Sequence, residues 1–196
     1  MKKIFSILFI ILISFTTKLI SEENPSIKRI SEGNENAKIT IIAYESLTCG
    51  HCADFHENVY PNLKKDFIEK GLVRIEFRHF PLDIAAFNAS KIGQCNNDGN
   101  ADVLNILFSG QKKWAKGKTP EEATKYLKKF LEDEGVNLDF EKCLNDKNIE
   151  DYILNDRIDG VKKFKVNATP TIIINDKKFE KTLNYKNLKK YLEKLI

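Results

Sequence analysis

Two cysteines three positions apart, Cys49 and Cys52, follow directly after an apolar, β-branched run at residues 39–44. Such a run is typical of a buried strand, and the apolar spacing beyond residue 50 is helical, so the cysteines mark the point where a strand passes into a helix. A cysteine in the first turn of a helix faces unpaired backbone N–H groups and the positive end of the helix dipole, and both stabilise a thiolate. Because the thiolate is the form that attacks disulfides, the pattern predicts a dithiol that exchanges disulfides, with Cys49 as the nucleophile.

The periodicity of the rest of the chain predicts a mixed α/β protein. The predicted strands cover residues 27–30, 38–45, 72–80, 168–174 and 178–183. The predicted helices cover residues 50–70 with a kink at Pro61, then 85–96, 102–114, 120–134, 138–145 and 149–164, and a last helix after Asn184. A helix between the second and third strands is long enough for a crossover, so these two strands should be parallel. The order predicts one sheet interrupted by a block of helices.

The first 21 residues have the pattern of a secretory signal peptide. Met1, Lys2 and Lys3 form a basic start, and residues 4–15 are almost wholly apolar. This apolar stretch is too short to cross a bilayer core, which needs about 20 residues. An uncleaved anchor in the inner membrane, running to residue 20, is the alternative. In either case we expect the folded part to be exported to a compartment where cysteines meet oxidants.

The net charge of +4 is concentrated in this first segment. Three of the 32 basic residues lie in it, at positions 2, 3 and 18, which leaves 29 basic against 28 acidic residues in 22–196. This near balance lacks the basic footprint of a nucleic-acid-binding protein, so we expect no nucleic-acid partner.

Four stretches of the chain resemble the DsbA-like thioredoxin family of bacterial periplasmic oxidoreductases. They are GNENA at 33–37, SLTCGHC at 46–52, FRHFPL at 77–82 and ATPT at 168–171. The resemblance extends over residues 27–196, and the combination of Cys-x-x-Cys with a later Thr-Pro makes it specific. It implies an α/β thioredoxin fold with an inserted helical domain. On this basis residues 22–82 are the first part of the thioredoxin domain, 83–159 the inserted helical domain and 160–196 the second part, after a signal at 1–21.

The resemblance also implies the site. In that family the proline that matches Pro170 forms a cis peptide bond and lies against the active-site disulfide, so that the backbone of Thr169 can pair with a substrate chain as an extra strand. Cys52 is then the buried resolving thiol, with an unperturbed or raised pKa. His51 is expected to stabilise the Cys49 sulfur through its imidazolium or an N–H group.

The dipeptide between the cysteines bears on the direction of the reaction. Gly50 and His51 are also the pair found in protein disulfide isomerases, whereas DsbA has proline in place of Gly50. We therefore expect a redox potential between the potentials of these two enzymes, or near the isomerase end.

The function implied by the resemblance is that of a periplasmic oxidase that introduces disulfides into unfolded exported polypeptides. A membrane protein of the DsbB type, linked to quinone, would reoxidise it. We expect a monomer with no cofactor and no metal. The alternatives are a periplasmic isomerase or reductase that another membrane protein keeps reduced, and a copper-binding protein that uses the two thiols as ligands.

A candidate proton acceptor for the resolving thiol lies at the end of the second strand. Related folds often carry a buried acid six residues before the first cysteine, but Ala43 occupies that position here. Glu45 lies two residues further on, on the same face of the strand, and is the candidate substitute. The alternative is a strand-end glutamate that reaches water.

We expect the remaining cysteines and histidines to have structural rather than catalytic roles. Cys95 and Cys143 both fall in the helical block, where members of this family often have a second cysteine pair, and we expect a structural disulfide between them. Two buried free thiols or a redox-active second pair are the alternatives. We expect His56 on a helix surface and His79 at a strand end. The cysteines and histidines of the chain lack the ligand spacing of a structural zinc site.

Overall fold

A computed structural model describes residues 26–196, in which five strands form one mixed sheet. The strands are β1 (Ser31–Glu32), β2 (Ile39–Glu45), β3 (Val73–His79), β4 (Thr171–Ile174) and β5 (Lys177–Lys178). Their order across the sheet is β1-β3-β2-β4-β5. Strands β2 and β3 are parallel, as the crossover predicted, and the other neighbours are antiparallel.

The central strands follow the hydrophobic pattern of the sequence. Strand β2 is buried at six of its seven positions, because helices cover both faces of the sheet beside it. Strand β3 alternates between buried and partly exposed residues along its whole length. Strand β1 is the exception, because the edge strand expected at residues 27–30 forms at Ser31–Glu32 instead.

Helices occupy most of the remaining chain. They are α1 (Gly50–Asp54), α2 (Tyr60–Leu63), α3 (Ile84–Gln94), α4 (Asp102–Ser109), α5 (Gln111–Trp114), α6 (Pro120–Asp133), α7 (Phe140–Asn145), α8 (Lys147–Phe164) and α9 (Tyr185–Leu192). Two π-helical turns, Phe55–Val59 and Lys64–Ile68, join and extend α1 and α2, so the chain is helical from residue 50 to residue 68. The side chains of Asp83, Thr119 and Asn184 cap α3, α6 and α9 by accepting backbone N–H groups.

The helix predicted over residues 102–114 is divided between α4 and α5 at Gly110. A Cβ atom at this position would lie 1.9 Å from Cζ of Phe130, so the aromatic ring of α6 rests directly on the glycine backbone and leaves no room for a side chain. Both Phe130 and the neighbouring Trp114 are buried in the main hydrophobic core.

The architecture confirms the predicted thioredoxin fold with helices inserted between β3 and β4. The predicted boundary between residues 159 and 160 falls inside α8, so the boundaries of the parts stay a prediction. The signal or anchor predicted at residues 1–21 lies outside the described residues. Within residues 26–196, every helix is too short or too polar to cross a membrane.

Candidate active site

Cys49 immediately precedes α1, with an extended backbone and a partly exposed side chain. Its Sγ atom lies 3.3 Å from the carbonyl oxygen of Thr169. A hydrogen bond from the Cys52 thiol lowers the pKa of Cys49 most strongly, and the nearby Thr169 side chain and hydrogen bonds from the backbone N–H groups of Cys52 and His51 lower it further. Partial burial opposes them, and the resulting pKa is about 5. At neutral pH this sulfur is therefore a thiolate.

Cys52 is fully buried one turn further along the helical stretch. Burial raises the pKa of its thiol far above the ordinary range, and the hydrogen bond to Cys49 and the negative charge of Glu45 raise it further. The two sulfurs therefore differ in charge at neutral pH: Cys49 carries an anion and Cys52 keeps its proton.

Thr169 and Pro170 lie just before β4 and are joined by a cis peptide bond. A groove of about 250 Å³ runs beside them and reaches the start of α1. Its walls are His51, Asp54, Phe55, Thr169, Pro170, Thr182 and Leu183. The groove therefore combines apolar and polar side chains beside Thr169, whose carbonyl oxygen lies next to the Cys49 sulfur.

His51 acts on Cys49 through its backbone. Its main-chain N–H group contributes to the lowered pKa of Cys49, while its side chain is exposed and lines the groove. Gly50 is exposed as well, and a Cβ atom there would meet nothing within 4 Å. The segment between the two cysteines is therefore open to a partner molecule.

The loop before Cys49 is held by residues that the sequence did not single out. Gln111, a buried residue of α5, donates its amide Nε2 to the carbonyl oxygens of Leu47 at 2.8 Å and Cys49 at 3.0 Å. On the other side, Thr48 donates its hydroxyl to Asp83, the cap of α3, at 2.7 Å. The inserted helices thus fix the position of the dithiol, and no local pattern around Gln111 indicates this role.

Glu45 ends β2 and is 5% exposed. Its Oε2 atom lies 3.0 Å from Nε2 of His56, whose side chain is 6% exposed. The His56 ring stacks on the ring of Phe108, with 4.0 Å between centroids. The alternative in which Glu45 reaches water is therefore wrong, and so is the expectation that His56 lies on a helix surface.

His56 lies in the π-helical turn Phe55–Val59, and its ring is buried between Glu45 and Phe108. A signal was present in the sequence, since His56 follows Cys52 by four residues and positions four apart share a helix face. His79 does end its strand, as expected, and is buried with its ring 3.2 Å from Gln94.

Cys95 and Cys143 are joined by a disulfide, with 5.5 Å between their Cα atoms. Cys95 follows α3 and Cys143 lies in α7, so the bond ties two of the inserted helices together. The alternative of two free thiols is wrong.

No group of three or more histidine, cysteine, aspartate or glutamate side chains within residues 26–196 is placed to hold a metal ion. The chemistry that the described site offers rests on the two sulfurs and the groups that set their charge.

The fold and the site together define a class. A thioredoxin-type sheet carries a Cys-x-x-Cys at a helix start, the first sulfur faces a cis Thr-Pro, and a helical block is inserted before that proline. These are the features of thioredoxin-fold proteins with a reactive dithiol.

Comparison with known proteins gives the family. A family model described as thioredoxin matches residues 26–194. The solved structure of α-DsbA1 from Wolbachia pipientis superposes with a TM-score of 0.76 at 30% identity, over 87% of this chain and 92% of that one. Disulfide bond formation protein D of Bacillus subtilis is 28% identical over 175 residues, 83% of this chain and 74% of that protein. The chain belongs to the DsbA-like thioredoxin family.

The chain is also similar to a protein from Rickettsia bellii that is provisionally named a protein-disulfide oxidoreductase. The two are 29% identical over 150 residues, which is 73% of this chain. The match covers 55% of that relative's length, so the chain corresponds to only part of it.

Proposed function

We propose that this protein is a thiol–disulfide oxidoreductase that introduces disulfide bonds into exported polypeptides through Cys49 and Cys52. The observation that carries the proposal is the opposite shift of the two thiol pKa values, down to about 5 for Cys49 and upward for Cys52. A stabilised Cys49 thiolate favours the reduced enzyme, which makes the oxidised enzyme a strong electron acceptor. Membership of the DsbA-like family and the names of the relatives support the same activity.

The order of the reaction steps follows from the different protonation states of the Cys49 and Cys52 sulfurs. A substrate thiolate attacks Cys49 in the oxidised enzyme, a mixed disulfide forms, and Cys52 leaves and takes up a proton. A second substrate thiol then attacks the mixed disulfide, so the substrate loses two electrons and the enzyme gains them. Cys49 departs as a stable anion, which lowers the cost of this second step. Thr169 and Pro170 would hold the substrate chain in the groove beside the sulfur.

The proposal extends to location and partners. The signal predicted at residues 1–21 would direct the protein to the periplasm, with the inner-membrane anchor as the alternative, and the clients would be unfolded exported chains. A DsbB-like membrane protein linked to quinone would reoxidise the dithiol. We propose that the protein acts as a monomer and that residues 83–159 form the inserted helical domain.

The test is an equilibrium of the purified protein with reduced and oxidised glutathione, together with oxidation of a dithiol peptide. We expect a potential between that of protein disulfide isomerase, about −180 mV, and that of DsbA, about −120 mV, or near the isomerase end. Cys49→Ser should abolish peptide oxidation, because the attacked sulfur is lost. A potential near that of thioredoxin, about −270 mV, would contradict the proposal.

The same samples separate the alternatives. An isomerase would rearrange a scrambled disulfide substrate faster than it oxidises the dithiol peptide, and the Gly50-His51 dipeptide is the feature that favours this second candidate. A copper-binding protein would bind Cu(I) tightly through the reduced thiols and show no turnover of the peptide.

Glu45→Gln tests the proposed proton acceptor. Removing the carboxylate removes the charge that raises the pKa of Cys52, but it also removes the group that takes the proton of the resolving thiol. We expect peptide oxidation and reoxidation to slow by about 100-fold, the lower end of what a positioned acid–base group contributes. Glu69→Gln, at an exposed acid just after the same helical stretch, is the control and should leave the rate unchanged. Unchanged turnover and potential in Glu45→Gln would remove Glu45 from the mechanism.

A further inference from the structure

A buried acid–base pair, Glu45 and His56, lies one helical turn below the resolving thiol. Oε2 of Glu45 and Nε2 of His56 are 3.0 Å apart, and the side chains are 4% and 6% exposed. His56 follows Cys52 by four residues on the same helical stretch, so the two side chains share a face. The sheet supplies Glu45 and the helix supplies both Cys52 and His56.

Each member of the pair has one polar atom left over. Neither Oε1 of Glu45 nor Nδ1 of His56 has a hydrogen-bond partner among the residues that the structure describes, and both atoms are buried. An unsatisfied buried polar atom costs about 1–3 kcal/mol, so each one calls for an explanation. Two such atoms within one acid–base pair, next to a thiol that must gain and lose a proton, fit a pair that exchanges protons.

His56 lies between Glu45 and a cavity that opens to solvent. The His56 ring forms part of the wall of a cavity of about 530 Å³ between the helical stretch 50–68 and the helices α4 and α5. Asn105, Ser109 and Gln111 are among its polar lining residues. The cavity is open to solvent, so water can enter it and accept or deliver a proton.

The other titratable groups around the pair are poorly suited to this exchange. The Tyr60 ring lies 5.4 Å from the His56 ring, but burial raises the pKa of Tyr60 above its ordinary value, so this hydroxyl keeps its proton. His79 stands opposite Glu45 in the register of β2 and β3, yet its ring contacts Gln94, and burial lowers its pKa. Arg78 lines the same small cavity as Glu45, but its guanidinium pairs with Glu76. Glu57, Lys64 and Lys112 are the charged residues that line the larger cavity next to His56.

We propose that His56 is a positioning residue that carries the proton of Cys52 between Glu45 and the water of the cavity. When the enzyme is reoxidised by a disulfide, the Cys52 thiol gives its proton to the Glu45 carboxylate. The Cys52 thiolate attacks the Cys49 sulfur of the mixed disulfide, the internal disulfide forms, and the partner leaves as a thiolate. Once Glu45 has been neutralised in this way, the His56 imidazolium beside it releases its Nδ1 proton to water, and Nε2–H keeps its hydrogen bond to Oε2 of Glu45. When a substrate reduces the enzyme, the proton moves in the opposite direction.

The inference rests on the proposed function and is tested at one step of it. Reduced protein is mixed with oxidised glutathione, and the glutathione adduct of Cys49 is followed by rapid quenching and mass spectrometry. His56→Gln keeps a hydrogen-bonding side chain but cannot relay a proton. We expect the adduct to form at the wild-type rate and to decay at least about tenfold more slowly, because only the second step needs the proton of Cys52. The thiolate titration of Cys49 should stay unchanged.

His79→Gln is the matched control, since it replaces the other buried histidine with the same residue, and adduct decay should keep the wild-type rate. Adduct decay at the wild-type rate in His56→Gln would overturn the inference. Slowing of adduct formation and decay together, with a shifted Cys49 titration, would also overturn it by showing a structural role. If wild-type protein itself fails to form the internal disulfide or to oxidise a dithiol peptide, the proposed function fails instead.

A second variant keeps the test decisive if His56→Gln does not fold. His56→Ala leaves a space beside the Phe108 ring that can accept free imidazole. We expect added imidazole to restore adduct decay, and pyrazole, which has the same shape but is a much weaker base, to leave it slow. Equal rescue by both compounds, or by neither, would show that the ring serves packing alone.

Discussion

Cys49 and Cys52 have the same side chain, yet the fold shifts the pKa values of their thiols in opposite directions. Cys49 sits at a helix start where N–H groups and a neighbouring thiol donate to its sulfur, whereas Cys52 is buried and faces the charge of Glu45. Hydrogen bonds to an anion favour the charged form, and burial beside a like charge disfavours it. The proposed activity depends on this difference, because it gives the reduced enzyme one stable thiolate and one protected thiol.

The lowered pKa of Cys49 predicts how the stability of the reduced protein depends on pH. The folded pKa is about 5 and the ordinary value is 9.0, so between these values the unfolded chain binds the proton that the folded protein has released. The contribution of Cys49 to the free energy of unfolding is therefore complete above pH 9 and is lost as the pH falls to 5. Urea unfolding of the reduced wild type and of reduced Cys49→Ser should diverge as the pH rises through this window. Parallel curves would contradict the lowered pKa.

At the scale of single residues, the sequence predicted the reacting groups but not all of the residues that hold them in place. Cys49, Cys52, Thr169 and Pro170 carry a pattern that is readable without a structure, and the fold brings Cys49 next to Thr169. Gln111 could not be found in this way, because a glutamine in a helix becomes a support only through its tertiary contacts.

At the scale of elements, periodicity placed the strands and helices but missed changes of helix type. A helix over residues 50–70 was predicted, and the chain is helical from 50 to 68, but two π-helical turns interrupt it. A pattern based on 3.6 residues per turn contains no signal for such a turn. The division at Gly110, where the ring of Phe130 rests on the backbone, was likewise missed.

The contact between α8 and the sheet predicts a packing effect at Gly160. A Cβ atom there would lie 2.7 Å from Cε1 of Tyr44, whose ring is fully buried in β2. We expect Gly160→Ala to lower the free energy of unfolding by about 1–3 kcal/mol, as overpacking of a filled core does. The measurement is urea unfolding at neutral pH.

Gly93→Ala is the matched control for this change. Gly93 is also a buried helical glycine, but a Cβ atom there would meet its nearest neighbour, Leu107, at 3.5 Å, an ordinary contact. Because alanine favours a helix over glycine by about 1 kcal/mol, this variant should be as stable as wild type or more so. Equal losses in the two variants would show that the close approach to Tyr44 is not the cause.

At the scale of the whole molecule, the inserted helices are tied to the sheet at several points. Asp156 of α8 is buried and accepts from Nη1 of Arg29 at 2.5 Å and from the backbone N–H of His79 at 3.2 Å. Gln111 of α5 binds the loop before Cys49. The family resemblance predicted that helices interrupt the sheet, but these long-range contacts depend on the tertiary fold and had no local sequence signal.

The disulfide between Cys95 and Cys143 predicts a loss of stability on its removal. It closes a loop of 48 residues, which in the chain-entropy account corresponds to about 4 kcal/mol. The variant with both Cys95→Ala and Cys143→Ala should lose about 2–4 kcal/mol in urea unfolding, measured with the Cys49–Cys52 pair in the same redox state. Stability equal to that of the wild type would show that the bond adds no constraint.

The central claim is that Cys49 is an anion at neutral pH, and its most direct test is the thiolate absorbance of the reduced protein as a function of pH. The account predicts a transition with a midpoint near pH 5 that is absent in Cys49→Ser. A midpoint near pH 9, the ordinary value for a cysteine, would contradict it.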